Sequence, residues 1–177
     1  TLKTLEEGTM SSAEQHSTGP KFTGYWKGKD KATPGNKMVG ASEGIEQESE
    51  RVQLTLADKL RGITTVSMTY IGDGGAQVGE VHEALNFASV HKLPLLLIIE
   101  NNQYAYSTPN SMEFACENLS DRAVGYGMHG VTIDGTDVEL VYTTCMHAAE
   151  RARRGDGPTL IETKTMRMRG HAEHDDF

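Results

Sequence analysis

Ile63 to Asn102 reads ITTVSMTYIGDGGAQVGEVHEALNFASVHKLPLLLIIENN, and its hydrophobic pattern changes period twice. Val66, Met68 and Tyr70 alternate with polar neighbours, the period of a strand. The strand stops at Gly72-Asp73-Gly74-Gly75. The period then becomes helical from about Glu80 to Lys92, with Val81, Ala84, Leu85 and Ala88 on one face. Pro94 closes the linker, and Leu95-Leu96-Leu97-Ile98-Ile99 follows without a polar interruption. An unbroken apolar run suits a strand covered on both faces, as in a parallel sheet. Strand, helix and strand make a βαβ unit, whose crossover is expected to be right-handed.

The same order recurs downstream. Val131-Thr132-Ile133 reads as a short strand, and Thr136 to Glu139 fits a capping box. The box opens a helix with Val141, Cys145, Ala148 and Ala152 on one face. Gly155 and Gly157 end it, and Thr159 to Lys164 reads as the next strand. Strands alternating with helices imply a doubly wound, mostly parallel α/β sheet. Upstream, residues 1–50 are polar and read as loops and an irregular arm. A helix from Ser42 to Arg61 would carry a narrow stripe of Ile45, Val52, Leu56 and Leu60, suited to an edge rather than a core. The expected division is a polar arm with an edge helix over 1–61 and an α/β domain over 62–177. The tail from Arg167 to Phe177 reads as a charged loop with two histidines.

The chain has 177 residues and a formal net charge of −8, from 25 acidic and 17 basic residues. That balance argues against a nucleic-acid partner, which needs a basic footprint, and against an anionic membrane surface. Cys116 and Cys145 are too few for a disulfide framework and read as reduced thiols. No apolar run approaches the ~18 residues of a membrane span. Thr1-Leu2-Lys3 shows no signal-peptide pattern and no initiator methionine, and the expectation is a cytoplasmic protein (mitochondrial matrix in a eukaryote), read as either a divergent or a partial chain.

In doubly wound sheets, ligands bind beyond the carboxyl ends of the strands. Two polar clusters fall there: Gly72-Asp73-Gly74 after the first strand, and Asn101-Asn102 after the Leu95–Ile99 strand. If those strands are neighbours, Asp73 and Asn102 face one crevice. Their oxygens are hard ligands that suit magnesium, which takes few protein oxygens and completes its shell with phosphate and water. Glycines beside Asp73 let backbone approach a phosphate, and the helix beginning near Gly79 adds the positive end of its dipole. Gly-Asp-Gly alone is a common turn, and Asn-Asn alone a common loop. The combination is specific, because residues 75–100 between them hold one helix and one buried strand. A dinucleotide fingerprint would need a third glycine in phase, which is lacking.

The stretch Ile71 to Pro109, IGDGGAQVGEVHEALNFASVHKLPLLLIIENNQYAYSTP, resembles the thiamine diphosphate motif of the decarboxylating component, alpha subunit, of the 2-oxoacid dehydrogenases. That family includes the pyruvate, branched-chain 2-oxoacid and acetoin enzymes. The resemblance continues through Glu117-Asn118-Leu119-Ser120-Asp121-Arg122-Ala123, Gly135 to Val138, Gly157-Pro158-Thr159-Leu160-Ile161-Glu162 and Arg169-Gly170-His171, covering about Leu60 to Asp176. It implies the thiamine diphosphate-binding fold, with thiamine diphosphate and Mg2+ as cofactors. Asp73 and Asn102 would ligate magnesium with the backbone carbonyl of Tyr104. Gly72, Gly74 and Gly75 would form the diphosphate loop, Glu80 is a weaker site candidate, and His171 matches an active-site histidine on a closing loop.

The implied activity is oxidative decarboxylation of a 2-oxoacid, with the acyl group passed to a lipoyl-bearing acyltransferase. The glutamate that activates the cofactor comes, in the resembled family, from a beta-type chain, and no candidate for it is found here. The implied assembly is therefore a hetero-oligomer, usually two alpha and two beta chains. Two alternatives stay open: another thiamine diphosphate enzyme (transketolase-like or synthase-type), or a non-catalytic remnant serving as an interaction domain. The sequence departs from the family pattern in two places. Ala172 follows the histidine where a regulatory serine is usual, and residues 166–177 contain no Ser or Thr, so phosphorylation there is not expected. Asn36-Lys37-Met38-Val39-Gly40 only loosely matches the family's upstream cofactor segment, and the acidic run Glu43 to Glu50 follows it. Grouping His174, Asp175 and Asp176 with His171 as a metal cluster fits no familiar ligand spacing.

Overall fold

The computed structural model describes residues 52–63 and 65–171. Four parallel strands form the main sheet: β1 (Ser67–Gly72), β2 (Leu95–Asn101), β5 (His129–Asp134) and β6 (Thr159–Lys164). Their order across the sheet is β1-β2-β6-β5. A two-stranded antiparallel hairpin, β3 (Tyr104–Ala105) with β4 (Thr108–Pro109), follows β2 directly. The helices are α1 (residues 52–60), α2 (Gly79–Val90), α3 (Arg122–Tyr126) and α4 (Val138–Arg153).

The unbroken run in β2 is central and covered on both faces, as its composition demands. Leu97 and Ile99 join Ile71 and Leu160 against Val81 and Leu85 of α2 and Ala123 of α3. Leu96 and Ile98 point the other way, with Val66, Ile133 and Ile161, against Ala148, Ala149 and Ala152 of α4. Helices on both faces of a parallel sheet make the doubly wound architecture that the alternating pattern implied. A third apolar group joins Val52 of α1 to Ala88, Leu93 and Leu95. Lys59 also donates from Nζ to the carbonyls of His91 (2.5 Å) and Lys92 (3.1 Å), satisfying the chain end of α2.

Several local expectations need correction. Tyr70 does not share a buried face with Val66 and Met68: it is 53 % exposed, and Ser67, Thr69 and Ile71 are the buried residues of β1. Among the described residues β1 is an edge strand, where small polar side chains can be buried if bonded, as Ser67 is by Thr55 at 2.6 Å. On α1 the buried residues are Val52, Thr55 and Asp58, whereas Leu60 is 79 % exposed. Ile45 and the rest of the expected helix upstream of 52 lie outside the described residues. α4 opens on Asp137 rather than on a box beginning at Thr136. Asp137 Oδ1 accepts from Glu139 N (3.1 Å) and Leu140 N (3.0 Å), and Thr136 is turned back onto Asp134. Asp is among the strongest N-caps, so two adjacent candidates compete and the carboxylate wins.

Candidate functional site

β1 pairs with β2 in parallel, with Gly72 opposite Glu100. The condition set by the sequence is therefore met: Asp73 and Asn102 leave adjacent strands at the same end. Asp73 is only 2 % exposed. Gly74 N donates to its Oδ1 at 3.0 Å, and Gln77 Nε2 donates to its backbone carbonyl at 2.9 Å. Gln77 is itself held by Arg122 Nη2 at 2.6 Å, and Arg122 Nη1 reaches the Ala76 carbonyl at 2.9 Å. The glycine-rich turn is thus clamped from α3.

Burial pushes the Asp73 carboxyl above its ordinary range, and the backbone N–H groups of Gly74, Gln103 and Tyr104 offset only part of this. Glu113 is raised as well, by burial and then by the Asp73 charge, and its Oε2 has no hydrogen-bond partner. Among the described residues no cationic side chain forms an ion pair with Asp73. Asn110 sharpens the imbalance. With its nitrogen donating to Asn101 Oδ1 (2.7 Å), its oxygen faces Asp73 Oδ2. Turned over, the better-satisfied orientation, the nitrogen donates to Asp73 Oδ2 (3.0 Å) and the Gln103 carbonyl (3.3 Å), and the oxygen accepts from Asn101 Nδ2 (3.1 Å) while lying 2.7 Å from Asn101 Oδ1. Either orientation leaves two oxygens facing each other, so the crevice holds more acceptors than donors. A cation resolves such an excess, and the donor set is of the hard, oxygen-only kind that magnesium takes.

Asn102 is half-buried, and its Oδ1 accepts from Tyr104 N at 3.1 Å. Gln103 between them has φ +74°, so the chain turns sharply into the hairpin. The Tyr104 side chain is exposed, with the Arg167 guanidinium 5.9 Å from its ring centre. His171 lies edge-on to Tyr106 of the same hairpin, ring centres 4.9 Å apart. The segment after β6 therefore returns across the hairpin and brings His171 to the loop that carries Asn102. A cleft of about 550 Å³ borders this hairpin, lined in part by Tyr104, Asn110, Phe114, Cys116 and Lys164. Glu80 is exposed on the first turn of α2 and joins none of these contacts. Residues 174–176 lie outside the described residues.

The three glycines divide by environment. A Cβ on Gly74 would lie 2.5 Å from Ala105 Cβ, and one on Gly75 would lie 2.8 Å from Ile71 Cγ1. Both permit close packing of the turn. A Cβ on Gly72 would meet nothing within 4 Å, so its side faces open space.

Two residues that the sequence reading named within its motifs but gave no role of their own lie at the centre of the site's support. Asn101 and Glu162 are both fully buried and bonded to each other at 2.7 Å. Burial alone would raise the Glu162 carboxyl, but Lys164, Ser120 N–H and Asn101 together hold it below its ordinary range. The available signal was a glutamate inside the apolar strand Thr159–Lys164, where a charge is costly unless bonded.

A family model described as "Dehydrogenase E1 component" matches residues 2–177. The chain belongs to the dehydrogenase E1 component family. This match also covers the first sixty residues, where the motif resemblance stopped at about Leu60. The 2-oxoisovalerate dehydrogenase subunit alpha of Bacillus subtilis (strain 168) is 42% identical over 173 residues, 97% of this chain and 51% of that protein. The pyruvate dehydrogenase E1 component subunit alpha of Staphylococcus epidermidis is 46% identical over 113 residues, 64% of this chain and 30% of that one. The E1 chain thus spans 51% or less of the length of these curated relatives. Among solved structures it is similar to a protein of Mycobacterium smegmatis assigned as a thiamin diphosphate-dependent enzyme, with TM-score 0.51 and 26% identity over 68% of this chain and 22% of that one. The benzoylformate decarboxylase of Polynucleobacter necessarius shares the fold, with TM-score 0.54 and 16% identity over 67% of this chain and 23% of that one. Among the described residues no helix is long and apolar enough to cross a membrane.

Proposed function

We propose that this E1 chain supplies the alpha-type half of a thiamine diphosphate site and acts in the oxidative decarboxylation of a 2-oxoacid. The observation that carries the reading is the buried Asp73 carboxylate beside Asn102, paired with no cationic side chain among the described residues, in a crevice with more oxygens than donors. Asp73, Asn102 and the Tyr104 carbonyl would hold magnesium, and magnesium would hold the diphosphate. Gly72, Gly74 and Gly75 would line the diphosphate turn, with Gly72 as the point of open approach. The cofactor supplies the electron sink that the loss of carbon dioxide requires. What this chain contributes is fixation: Arg122 and Gln77 hold the turn, and β1 and β2 hold the two ligands at a set spacing. His171, on the Tyr106 ring, would orient the phosphates or pass a proton to the bound intermediate.

A beta-type subunit would complete the site, as the relatives' designation "subunit alpha" supports, and a lipoyl-bearing acyltransferase would take the acyl group. Calorimetry with thiamine diphosphate and magnesium, with and without a beta-type chain, tests the reading. Magnesium-dependent binding is expected, and its absence under both conditions overturns the assignment. His171→Ala in the assembled enzyme should reduce turnover by about 10²–10⁴-fold, the usual contribution of a positioned acid–base group, with cofactor affinity changed far less. Normal turnover would remove His171 from the site.

A further inference from the structure

The Glu162 carboxylate is fully buried, and its bonds to Asn101 and Ser120 lead to the two walls of the site. Its Oε1 accepts from Asn101 Nδ2 (2.7 Å) and Lys164 Nζ (2.7 Å). Its Oε2 accepts from Ser120 N (2.9 Å) and Thr132 Oγ1 (3.2 Å). Only the nitrogen of the Asn101 amide can face a carboxylate, so Asn101 Oδ1 is forced toward the other side, where it accepts from Gln103 N at 2.9 Å. Gln103 is the residue at φ +74° whose turn directs Asn102 and Tyr104 out of β2. The second oxygen acts on the opposite wall. Ser120 belongs to the 3₁₀ turn Leu119–Asp121 that leads into α3, and α3 begins with Arg122, which holds Gln77 and through it the Asp73 carbonyl.

We infer that Glu162 is a positioning residue: one carboxylate fixes both the Gln103 turn that presents Asn102 and Tyr104 and, through Ser120 and Arg122, the turn that presents Asp73. The metal consequence rests on the proposed function above, whereas the fixing of the turns does not. The argument is one of polarity. A glutamine has the same shape but one acceptor fewer and an N–H₂ group in its place. Whichever way it is turned, a donor meets either Asn101 Nδ2 and Lys164 or the Ser120 N–H. Asn101 cannot rotate to help without losing Gln103. A carboxylate that merely filled space would be replaced by glutamine at little cost.

The test uses the full chain with Glu162→Gln and measures amide hydrogen exchange over residues 101–110. Exchange of the Gln103 N–H is expected to be about tenfold or more faster, the loss of a buried hydrogen bond expressed as a rate, with α4 unchanged. Magnesium-dependent thiamine diphosphate affinity, measured in parallel, is expected to fall about 10–100-fold, as for other partners that orient ligands. Adding Asn101→Asp to Glu162→Gln exchanges amide and carboxylate: the new amide donates to the new carboxylate, which still accepts from Gln103 N, and the Lys164 ammonium, on a side chain 35 % exposed, turns to solvent. This double variant should restore slow exchange and most of the affinity, a rescue that lost packing would not give. Unchanged exchange in Glu162→Gln, or a double variant worse than the single, overturns the inference. Should Glu162→Gln fail to fold, the wild-type Asn101 side-chain amide gives the measure by NMR: slow exchange is expected, and fast exchange overturns it. If the wild type shows the protected turn but binds no cofactor, the metal reading fails and the positioning role stands.

Discussion

Asp73→Asn is expected to remove magnesium-dependent thiamine diphosphate binding by more than about 100-fold while leaving the free chain at least as stable. The binding loss follows because even residues that only orient a ligand cost about 10–100-fold when changed, and Asp73 is the one carboxylate among the proposed ligands. The stability result follows from the oxygens in the crevice. The Asp73 Oδ2 position faces Asn110, where an amide nitrogen would donate to the Asn110 oxygen and end the oxygen–oxygen contact. Oδ1 would go on accepting from Gly74 N. One neutral hydrogen bond gained sets the scale at about 0.5–1.5 kcal/mol.

The pH dependence separates this account from a neutral one. Burial raises the Asp73 pKa above its ordinary 3.8, so the protonated carboxyl is the form the fold prefers. Its contribution is present in full below the unfolded pKa and is lost as pH rises through the raised folded value. The wild type should therefore lose stability relative to Asp73→Asn over that window. Magnesium with the diphosphate should restore it in the wild type alone. Denaturant melts across acidic to neutral pH check this, and parallel curves for the two proteins would contradict it.

The second large effect is expected from glycines only two residues apart. Gly74→Ala would force a methyl to 2.5 Å from Ala105 Cβ and 3.4 Å from Ala105 Cα. Neither atom is the end of a flexible side chain, so the hairpin after β2 must move away from the β1 turn. Overpacking of this kind costs about 1–3 kcal/mol, and here it also separates Asp73 from Asn102. Stability and cofactor affinity should fall together. Gly72→Ala meets no atom within 4 Å, so stability should change little. If the diphosphate approaches at Gly72, affinity alone falls. A Gly72→Ala chain with wild-type affinity would move the phosphate contact elsewhere on the turn.

The sheet was readable because its signals are local. The unbroken Leu95–Ile99 run requires cover on both faces, and the faces of α2 and α4 repeat at the helical period, so Val81, Leu85, Ala148 and Ala152 are buried as expected. Asp73 and Asn102 were readable because the loops after adjacent parallel strands meet, and β1 and β2 are adjacent. What escaped depends on distant partners. Besides nearby Lys164, Glu162 is bonded by donors from β2, β5 and the Leu119–Asp121 turn, all far from it in sequence. Glu113 matters through Asp73, and Arg122 through Gln77. The β3–β4 hairpin carries no Asn-Gly or Asp-Gly signal, since its turn is Tyr106-Ser107 with Tyr106 at positive φ, and Gln103, also at positive φ, leads the chain into β3. Tyr70 and Leu60 were misplaced because periodicity does not tell whether an edge position has a neighbour to cover it.

The strand order β1-β2-β6-β5 also governs how the chain comes together. β2 gains its second neighbour only when Leu96 meets Thr159, far along the chain. Contacts of such long sequence separation form slowly. During synthesis, at about 5–20 residues per second, the most apolar strand waits several seconds with one edge bare, open to pairing with other nascent chains. Lys92 before the run and the exposed Glu100 near its end place charges at both flanks, as gatekeepers of an aggregation-prone segment do. Until β6 arrives, the solubility of the emerging chain rests on those two charges and on prompt closure of the β1–α2–β2 unit.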